Sequence, residues 1–436
     1  MKLRPLLLAA SLLAAPASAQ SIAIVHAHIL SEGAAGEIPS GTLVLKDGKI
    51  AALGAGLAVP AGAIVIDAKG GPVTPGFIAP DAQLGLVEVG QEPSTVDLVN
   101  YNDQLSAAFD VEYGLNPYSV PIRAARLGGI TRAIATPGYA DERPGFHPPP
   151  GRQFLFAGQA AAIHLGAAED ILVKPKVAMV LALGESGSAR AGGARGAAIG
   201  QLETVFDDVR WYEGHRNAYN NGASRALSLS RADLEALVPV VHGTTPVLIY
   251  VHRASDIHEV LRLAQRERLR VILDGAEEGW KVAGEIAAAH VPVILGPLDD
   301  LPATFESIGA TLDNAAALRK AGVLIAFHSS AGGSFRIREL RYDAGVAVAH
   351  GLSHADALAA ITINPARIFG LDEQVGSLDP GKEGDVVVWS GDPFEPYSQP
   401  VAIFIRGRQQ SLGSRADDLA ARYRTRPAGG YPPQYR

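Results

Sequence analysis

The second half of the chain alternates short apolar runs with longer amphipathic runs. The apolar runs have the length of buried strands, and the amphipathic runs carry hydrophobic residues at helical spacing. Strands and helices that alternate at this interval form a parallel sheet with the helices packed outside it. The predicted strands are Val247–Val251, Arg270–Leu273, Val291–Leu295 and Val323–Phe327, and the predicted helices are Asp256–Arg266, Trp280–Ala289, Thr311–Ala321 and Ser353–Asn364.

The first seventy residues show a pattern typical of a small β domain. Ser21–Leu30 alternates apolar and polar positions, Asp47-Gly48 is a hairpin turn between two short apolar runs, and Ala63–Asp67 is a further strand. His26 and His28 form an H-x-H pair on one face of the first strand. We interpret them as surface or packed histidines, because they lie far from the polar strand end described below.

The middle of the chain predicts two loops and two helices. Pro137–Gly151 is a polar, proline-rich loop. Ser186–Gly200 is rich in glycine, alanine and arginine, which predicts a mobile loop. Such a loop can cradle phosphate, but no Gly-Lys-Ser/Thr follows it, so the signal is weak. Gln201–Tyr219 and Leu229–Val240 have helical periodicity, the second with Ser230 as its N-cap.

The composition narrows the classes of function. Of the 436 residues, 47% are hydrophobic and 19% charged, which is an ordinary globular balance. The chain has no cysteine, which excludes disulfides, zinc–thiolate sites and thiol nucleophiles. Its formal net charge of −7 and the lack of a basic run argue against a nucleic-acid partner.

The N-terminal segment predicts export. Lys2 and Arg4 precede the apolar run Leu6–Ala15, and Ala17-Ser18-Ala19 has the small residues of a cleavage site. The apolar run is shorter than the roughly 20 residues needed to span a bilayer. We therefore expect a signal peptide over residues 1–19, a periplasmic or secreted mature protein, and no membrane association.

A short apolar strand entered through Pro75-Gly76 ends in two polar residues that face the same way, Asp81 and Gln83. The stretch Pro75-Gly76-Phe77-Ile78 resembles the first barrel strand of the amidohydrolase superfamily, P-G-F-I-D-x-H-x-H. In that family the two histidines hold a divalent metal. Here Ala79 replaces the aspartate of the pattern, and Asp81 and Gln83 stand at the histidine positions.

Further motifs extend the resemblance over residues 22 to 408. The phrase A-R-x-G-G-I-T, ending at Thr131, is similar to the family's second barrel unit. Gly376–Asp385 resembles the family's C-terminal signature G-x-L-x-P-G-K-x-A-D, after which the chain returns to the N-terminal β domain. The resemblance therefore implies an α/β fold: a (β/α)8 TIM-type barrel with a small β-sandwich domain formed by both chain ends.

The resemblance also implies the domain boundaries and a subgroup. The chain is most similar to the exported imidazolonepropionase/prolidase-like metal-dependent hydrolases. The expected parts are a signal peptide over 1–19, the N-terminal part of the β-sandwich over 20–73, the barrel over 74–372, the C-terminal part of the sandwich over 373–408, and a polar, partly disordered tail over 409–436.

The family's metal-ligand positions carry altered residues. Strand five should read H-x-H but has Tyr250 and His252, and strand six has Gly275 where a histidine is expected. Strand eight should end in Thr-Asp, the aspartate being the general base, but reads His328-Ser329. We therefore expect that the ordinary metal site is lost, with no cofactor and no confident catalytic residue.

The same residues allow two other interpretations. Asp81, His252 and His328 form a two-histidine, one-carboxylate set that suits one divalent metal ion. This alternative predicts an active amidohydrolase with a rebuilt site. A serine hydrolase based on Ser329 is disfavoured, because adjacent strand residues point apart and the chain has no Gly-x-Ser-x-Gly elbow.

The predicted function is that of an exported amidohydrolase-family protein. It is related to hydrolases of non-peptide or dipeptide amide carbon–nitrogen bonds, but is itself a pseudoenzyme with a retained pocket. Expected partners are a small amide-type ligand and either a second copy of the chain or an active amidohydrolase relative. Because parallel barrel strands end on one face, the pocket should combine Asp81, Gln83, Tyr250, His252, Gly275, His328 and Ser329.

Overall fold

A computed structural model describes residues 21–101, 104–139, 154–296, 298, 300–302, 304–329 and 336–424. The predicted signal peptide over 1–19, most of the predicted loop Pro137–Gly151 and the end of the predicted tail lie outside these residues. Among the described residues, no helix combines the length and the apolar character needed to cross a bilayer.

An eight-stranded sheet built from described residues follows the chain order from first strand to last. Between its two end strands, the Asn364 side-chain amide donates to the Ile325 carbonyl (2.9 Å) and the Ile78 amide donates to the Ile361 carbonyl (2.8 Å). The segment 361–364 thus bridges the two edges of a nearly closed barrel. The strands are β6 (Phe77–Ala82), β7 (Ile130–Ala135), β8 (Phe156–His164), β9 (Leu172–Ala182), β10 (Val247–Val251), β11 (Val271–Gly275), β12 (Val293–Leu295) and β13 (Ile325–Phe327).

One barrel strand departs from the expected all-parallel arrangement. β8 runs antiparallel to both β7 and β9, whereas β9 to β13 are parallel to one another. Only seven residues, 165–171, separate β8 from β9. A parallel crossover needs a dozen or more residues, so this short link can only form a reversal.

The helices surround the barrel on its outer side, as α6 illustrates. Its buried face is Ile257, Val260, Leu263 and Ala264, at the predicted 3.6-residue spacing, and it ends at Arg268 in a left-handed conformation. The helices are α1 (Val120–Arg126), α2 (Gly184–Arg190), α3 (Arg195–Gly214), α4 (Arg216–Asn220), α5 (Arg231–Val241), α6 (Ala254–Glu267), α7 (Ala283–Ala288), α8 (Asn314–Lys320), α9 (Leu340–Ala349), α10 (His354–Ala360), α11 (Ile363–Ile368) and α12 (Arg415–Arg424).

Two segments predicted to be irregular are helical, whereas one predicted cap is confirmed. The predicted mobile loop 186–200 belongs mostly to α2 and α3, and Arg195 at the start of α3 pairs with Asp256 (3.0 Å). The predicted tail contains α12, which an ion pair between Arg123 and Asp418 (2.6 Å) holds against the barrel. The Ser230 hydroxyl accepts from the Asp233 amide (3.3 Å), as predicted for an N-cap.

Both ends of the described chain contribute strands to a second, separate sheet. Its central strand, β1, pairs with β2, β4 and β5, and the C-terminal strand β14 joins the sheet by pairing with β5. Gly76 then leads directly from β5 into barrel strand β6. The strands are β1 (Ile22–Leu30), β2 (Glu37–Lys46), β3 (Lys49–Gly54), β4 (Ile64–Asp67), β5 (Pro72–Pro75), β14 (Val386–Trp389), β15 (Pro400–Ile405) and β16 (Arg408–Gln409).

A buried arginine links the barrel to this second sheet. Arg132 on β7 is 2% exposed, and its Nε donates to Asp385 Oδ2 (2.6 Å) while Nη2 donates to Asp385 Oδ1 (3.1 Å) and to Glu383. Asp385 precedes β14 and also accepts from the Arg406 amide (2.8 Å). Loss of one member of a buried ion pair leaves an uncompensated charge, which costs far more than the pair contributes.

Arg132→Met should therefore lower the free energy of unfolding by about 3–5 kcal/mol, because Asp385 stays buried without its cation. Arg319→Met is the matched control, since Arg319 makes a 2.6 Å ion pair with Asp356 in which both side chains remain partly exposed. Its cost should stay below about 1 kcal/mol. The measurement is the urea midpoint followed by circular dichroism, and equal shifts in the two variants would refute the assignment.

Candidate functional site

Three ionisable side chains meet where the parallel strands of the barrel end. Asp81 lies at the end of β6, Asp274 near the end of β11, and His328 directly after β13. Each offers one ligand atom, and these atoms all lie within 4.8 Å of one another. The Ile272 side chain lies in the barrel-interior cluster, and Asp274, two residues further along β11, faces the same way.

An ion pair joins two members of this cluster. His328 Nε2 lies 3.3 Å from Asp274 Oδ1, and His328 Nδ1 donates to the Ser329 carbonyl (3.2 Å). Burial alone would lower the pKa of His328, but the charges of Asp274 and Asp81 outweigh burial and raise it. Burial raises the pKa of the Asp274 carboxyl, while His328 opposes that shift. The geometry thus describes an imidazolium paired with a carboxylate.

Two hydroxyl groups fix the third member, Asp81. The Thr136 hydroxyl, just after β7, donates to Asp81 Oδ1, and the Tyr250 hydroxyl on β10 donates to Asp81 Oδ2 (3.2 Å). One donor on each oxygen sets the orientation of the carboxylate. The carboxylate of Asp81 is therefore held in a defined direction toward the centre of the barrel mouth.

The donor set fits a divalent cation. Asp274 Oδ2 is buried and has no hydrogen-bond partner among the residues that the structure describes. A buried carboxylate oxygen without a partner costs about 1–3 kcal/mol, which a cation at that position would offset. Two carboxylates and one imidazole are ligands that Zn²⁺, Mn²⁺ and Fe²⁺ accept.

The structure groups Asp274, rather than the predicted His252, with Asp81 and His328. His252 Nδ1 donates to Glu277 Oε2 (2.7 Å), and its Nε2 lies 3.9 Å from Glu306 Oε1. The side chain of Glu306 is 4% exposed, and its Oε2 accepts from the Glu185 amide (2.8 Å) and from Arg195 (3.3 Å). The imidazole of His252 thus donates to Glu277, lies near Glu306, and is not part of the metal-ligand cluster.

Gly275 explains why His252 takes this position. Its φ is +90°, and a Cβ built on it would lie 2.5 Å from His252 Nδ1. Any other residue here would combine a strained backbone with a clash against the imidazole. The glycine at the strand-six position and the placement of His252 on strand five are therefore coupled.

The remaining predicted pocket residues, Tyr250, Gln83 and Ser329, make three different kinds of contact. Tyr250 contacts Asp81, as described above. Gln83 lies beyond the end of β6 and opens a turn in which its carbonyl accepts from Leu86 and Val87. The Ser329 hydroxyl donates to the Arg336 carbonyl (2.9 Å).

Sequence reasoning missed Asp274, Thr136, Glu277 and Glu306. A signal for Asp274 existed, because it follows Ile272 by two residues at the end of a predicted strand. The motif comparison directed attention to its neighbour Gly275 instead. Thr136 and Glu306 lie in connections whose path the sequence pattern does not define.

Comparison with known proteins shows what the chain is similar to. The amidohydrolase family profile matches residues 212–411. A solved amidohydrolase from Thermotoga maritima MSB8 is 25% identical and superposes with a TM-score of 0.76, covering 89% of this chain and 99% of that one. The chain thus matches the amidohydrolase superfamily both in a family model and in its fold.

Other known proteins match the chain at lower sequence identity. Amidohydrolase tasK of Hapsidospora irregularis is 21% identical over 376 residues, which cover 81% of this chain. The chain spans only 38% of that relative's length. A prolidase solved with N-methylphosphonate-L-proline has the same fold at 15% identity, with a TM-score of 0.55 over 90% of this chain and 99% of that one.

Gly275→Ala tests the coupling between Gly275 and His252. We expect a loss of about 1–3 kcal/mol in the free energy of unfolding, because the new methyl group strains the backbone and displaces His252. Gly284→Ala is the matched control, since Gly284 lies in exposed helix α7 with nothing within 4 Å of its added Cβ. That variant should gain up to about 1 kcal/mol. Thermal unfolding measures both, and a Gly275→Ala protein as stable as the parent would contradict the coupling.

Proposed function

We propose that this protein hydrolyses amide-type carbon–nitrogen bonds with the help of one divalent cation held by Asp81, Asp274 and His328. The observation that carries the proposal is the buried, unpartnered Oδ2 of Asp274 beside two further ligand atoms. The kinship with amidohydrolases supports the reaction class. The proposal modifies the rebuilt site that the sequence offers as an alternative, because Asp274 takes the place of His252.

The chain's own residues would divide the work as follows. Asp81, held by Thr136 and Tyr250, and Asp274 supply negative charge, while His328 supplies a nitrogen ligand once its proton leaves. A divalent cation at this position would polarise the substrate carbonyl and acidify water. The barrel interior below the cluster is apolar, with Leu248, Ile272, Ile294 and Ala326 packed together. The charged groups therefore lie at one end of an apolar core.

A second candidate function is binding without catalysis. Both Asp81 oxygens already accept hydrogen bonds, and Asp274 and His328 already form an ion pair. A site that satisfies most of its polar groups internally can persist without metal and bind a small amide-type ligand. This candidate preserves the pseudoenzyme expected from the sequence.

The finer assignments are proposals of the same kind. We propose dipeptides and N-acyl amino acids as the substrate class, because a solved prolidase with a phosphonate–proline ligand shares the fold. Export to the periplasm, membership of the imidazolonepropionase/prolidase-like subgroup, and assembly with a second copy or an active relative remain predictions from the sequence.

Metal loading tests the proposed function. Chelator-treated protein is dialysed against Mn²⁺ or Zn²⁺, bound metal is counted by elemental analysis, and hydrolysis of a dipeptide and N-acyl amino acid panel is followed by amine release. We expect about one ion per chain and hydrolysis that depends on it. Asp274→Asn should lose the ion and lower the rate by at least about a hundredfold.

Asp356→Asn is the control for that experiment, because Asp356 is a partly exposed carboxylate paired with Arg319. It should retain both metal and rate. Absence of stoichiometric metal in the parent protein would overturn the proposal. If ligands of the panel then raised the melting temperature of the metal-free protein, the binding function would replace it.

A further inference from the structure

We propose that His252, oriented by Glu277, is the general acid that protonates the departing nitrogen. This inference rests on the proposed hydrolysis and assigns a proton donor to the same site. The residue that the family resemblance assigns to proton transfer, an aspartate ending strand eight, is Ser329 here. Because the Ser329 hydroxyl is bound to the Arg336 carbonyl and is not acidic at neutral pH, the proton must come from another group.

A hydrogen bond to Glu277 holds the imidazole of His252 in a fixed orientation. Its Nδ1 donates to Glu277 Oε2 at 2.7 Å, which leaves the Nε2–H to be donated elsewhere. An imidazole that acts as acid or base at one nitrogen and donates a hydrogen bond to a carboxylate from the other is a recurring catalytic arrangement. The His252 carbonyl accepts from the Glu278 amide (3.1 Å), and Gly275 leaves the space that the ring occupies. Both the backbone and the ring are therefore held in place.

His252 also lies beside the proposed reaction centre. On neighbouring strands Tyr250 pairs with Asp274 and Val251 with Gly275, so His252 lies two residues beyond the level of Asp274. Tyr250, two residues earlier, reaches Asp81. The side chain of His252 is 29% exposed, and that of Glu277 19%, so a ligand can reach the imidazole.

The local charges favour the protonated form of His252. Burial would lower the pKa of its imidazole, but hydrogen bonding to Glu277 and the charges of Glu277, Glu306 and Asp274 together raise it. An imidazolium can donate a proton but cannot take one from water, which favours the role of acid over that of base. The 3.9 Å gap between Nε2 and Glu306 Oε1 exceeds a hydrogen bond and leaves the Nε2 proton available for transfer.

The proposed step balances as follows. Water that has released one proton to solvent forms a C–O bond to the carbonyl carbon. The C–N bond then breaks, its electron pair goes to nitrogen, and the Nε2 proton of His252 passes to that nitrogen to give the free amine. The carboxylic acid product returns its proton to Nε2 and leaves as carboxylate, so His252 ends the cycle as it began.

Dependence on the leaving group tests the assignment. An alkyl amine needs a proton to depart, whereas p-nitrophenolate does not. Using metal-loaded protein, we expect His252→Gln to lower hydrolysis of an N-acyl amino acid by about 10²–10⁴-fold. The p-nitrophenyl ester of the same acyl group should lose less than about threefold. Glu277→Gln should show the same selectivity to a smaller degree, and elemental analysis should find the bound metal of both variants unchanged.

His258→Gln is the matched control, because His258 makes a similar 2.6 Å contact with Glu285 on the exposed outer surface. It should leave both rates unchanged. Equal losses on amide and ester, or an unchanged amide rate, in His252→Gln would overturn the acid role while the hydrolase proposal stands. Parent protein that binds metal but hydrolyses neither substrate would overturn both.

Discussion

The ion pair between Asp274 and His328 determines how charge is compensated at the mouth of the barrel. Two carboxylates and an imidazole lie within 4.8 Å of one another at the end of an apolar interior. Charges in such surroundings must be compensated by other charges or by hydrogen bonds. Thr136 and Tyr250 do this for Asp81, and His328 does it for one oxygen of Asp274. The second oxygen is compensated by no described residue, and a cation is the simplest group that would complete the set.

A second set of contacts holds His252 beside this cluster. Gly275, at φ +90°, leaves the space in which the imidazole contacts Glu277, and Glu306 lies 3.9 Å from the other ring nitrogen. The residues at strands five and six are therefore structurally coupled. They divide one mouth into a ligand cluster built on Asp274 and a separately oriented histidine, which together still offer the components of hydrolysis.

Much of the architecture followed from the sequence, because it depends on local periodicity. The alternation after Pro246 predicted β10 to β13 and their helices, and the Asp47-Gly48 turn joined β2 and β3 as expected. The reversed strand β8 was missed, because hydrophobic periodicity carries no information on strand direction. Among site residues, Asp81, Tyr250 and His328 were expected and do lie together. The motif comparison overlooked Asp274 because it focused on the neighbouring position, Gly275. The placement of the His252 imidazole depends on the positive φ of Gly275, which no sequence pattern displays.

The most direct test of the central claim is an anomalous-difference map from crystals grown with Mn²⁺. The account predicts a single peak bounded by Asp81, Asp274 and His328, with Asp274 Oδ2 among its ligands. A peak ligated by His252 in place of Asp274, or an empty mouth in protein that hydrolyses amides, would contradict it.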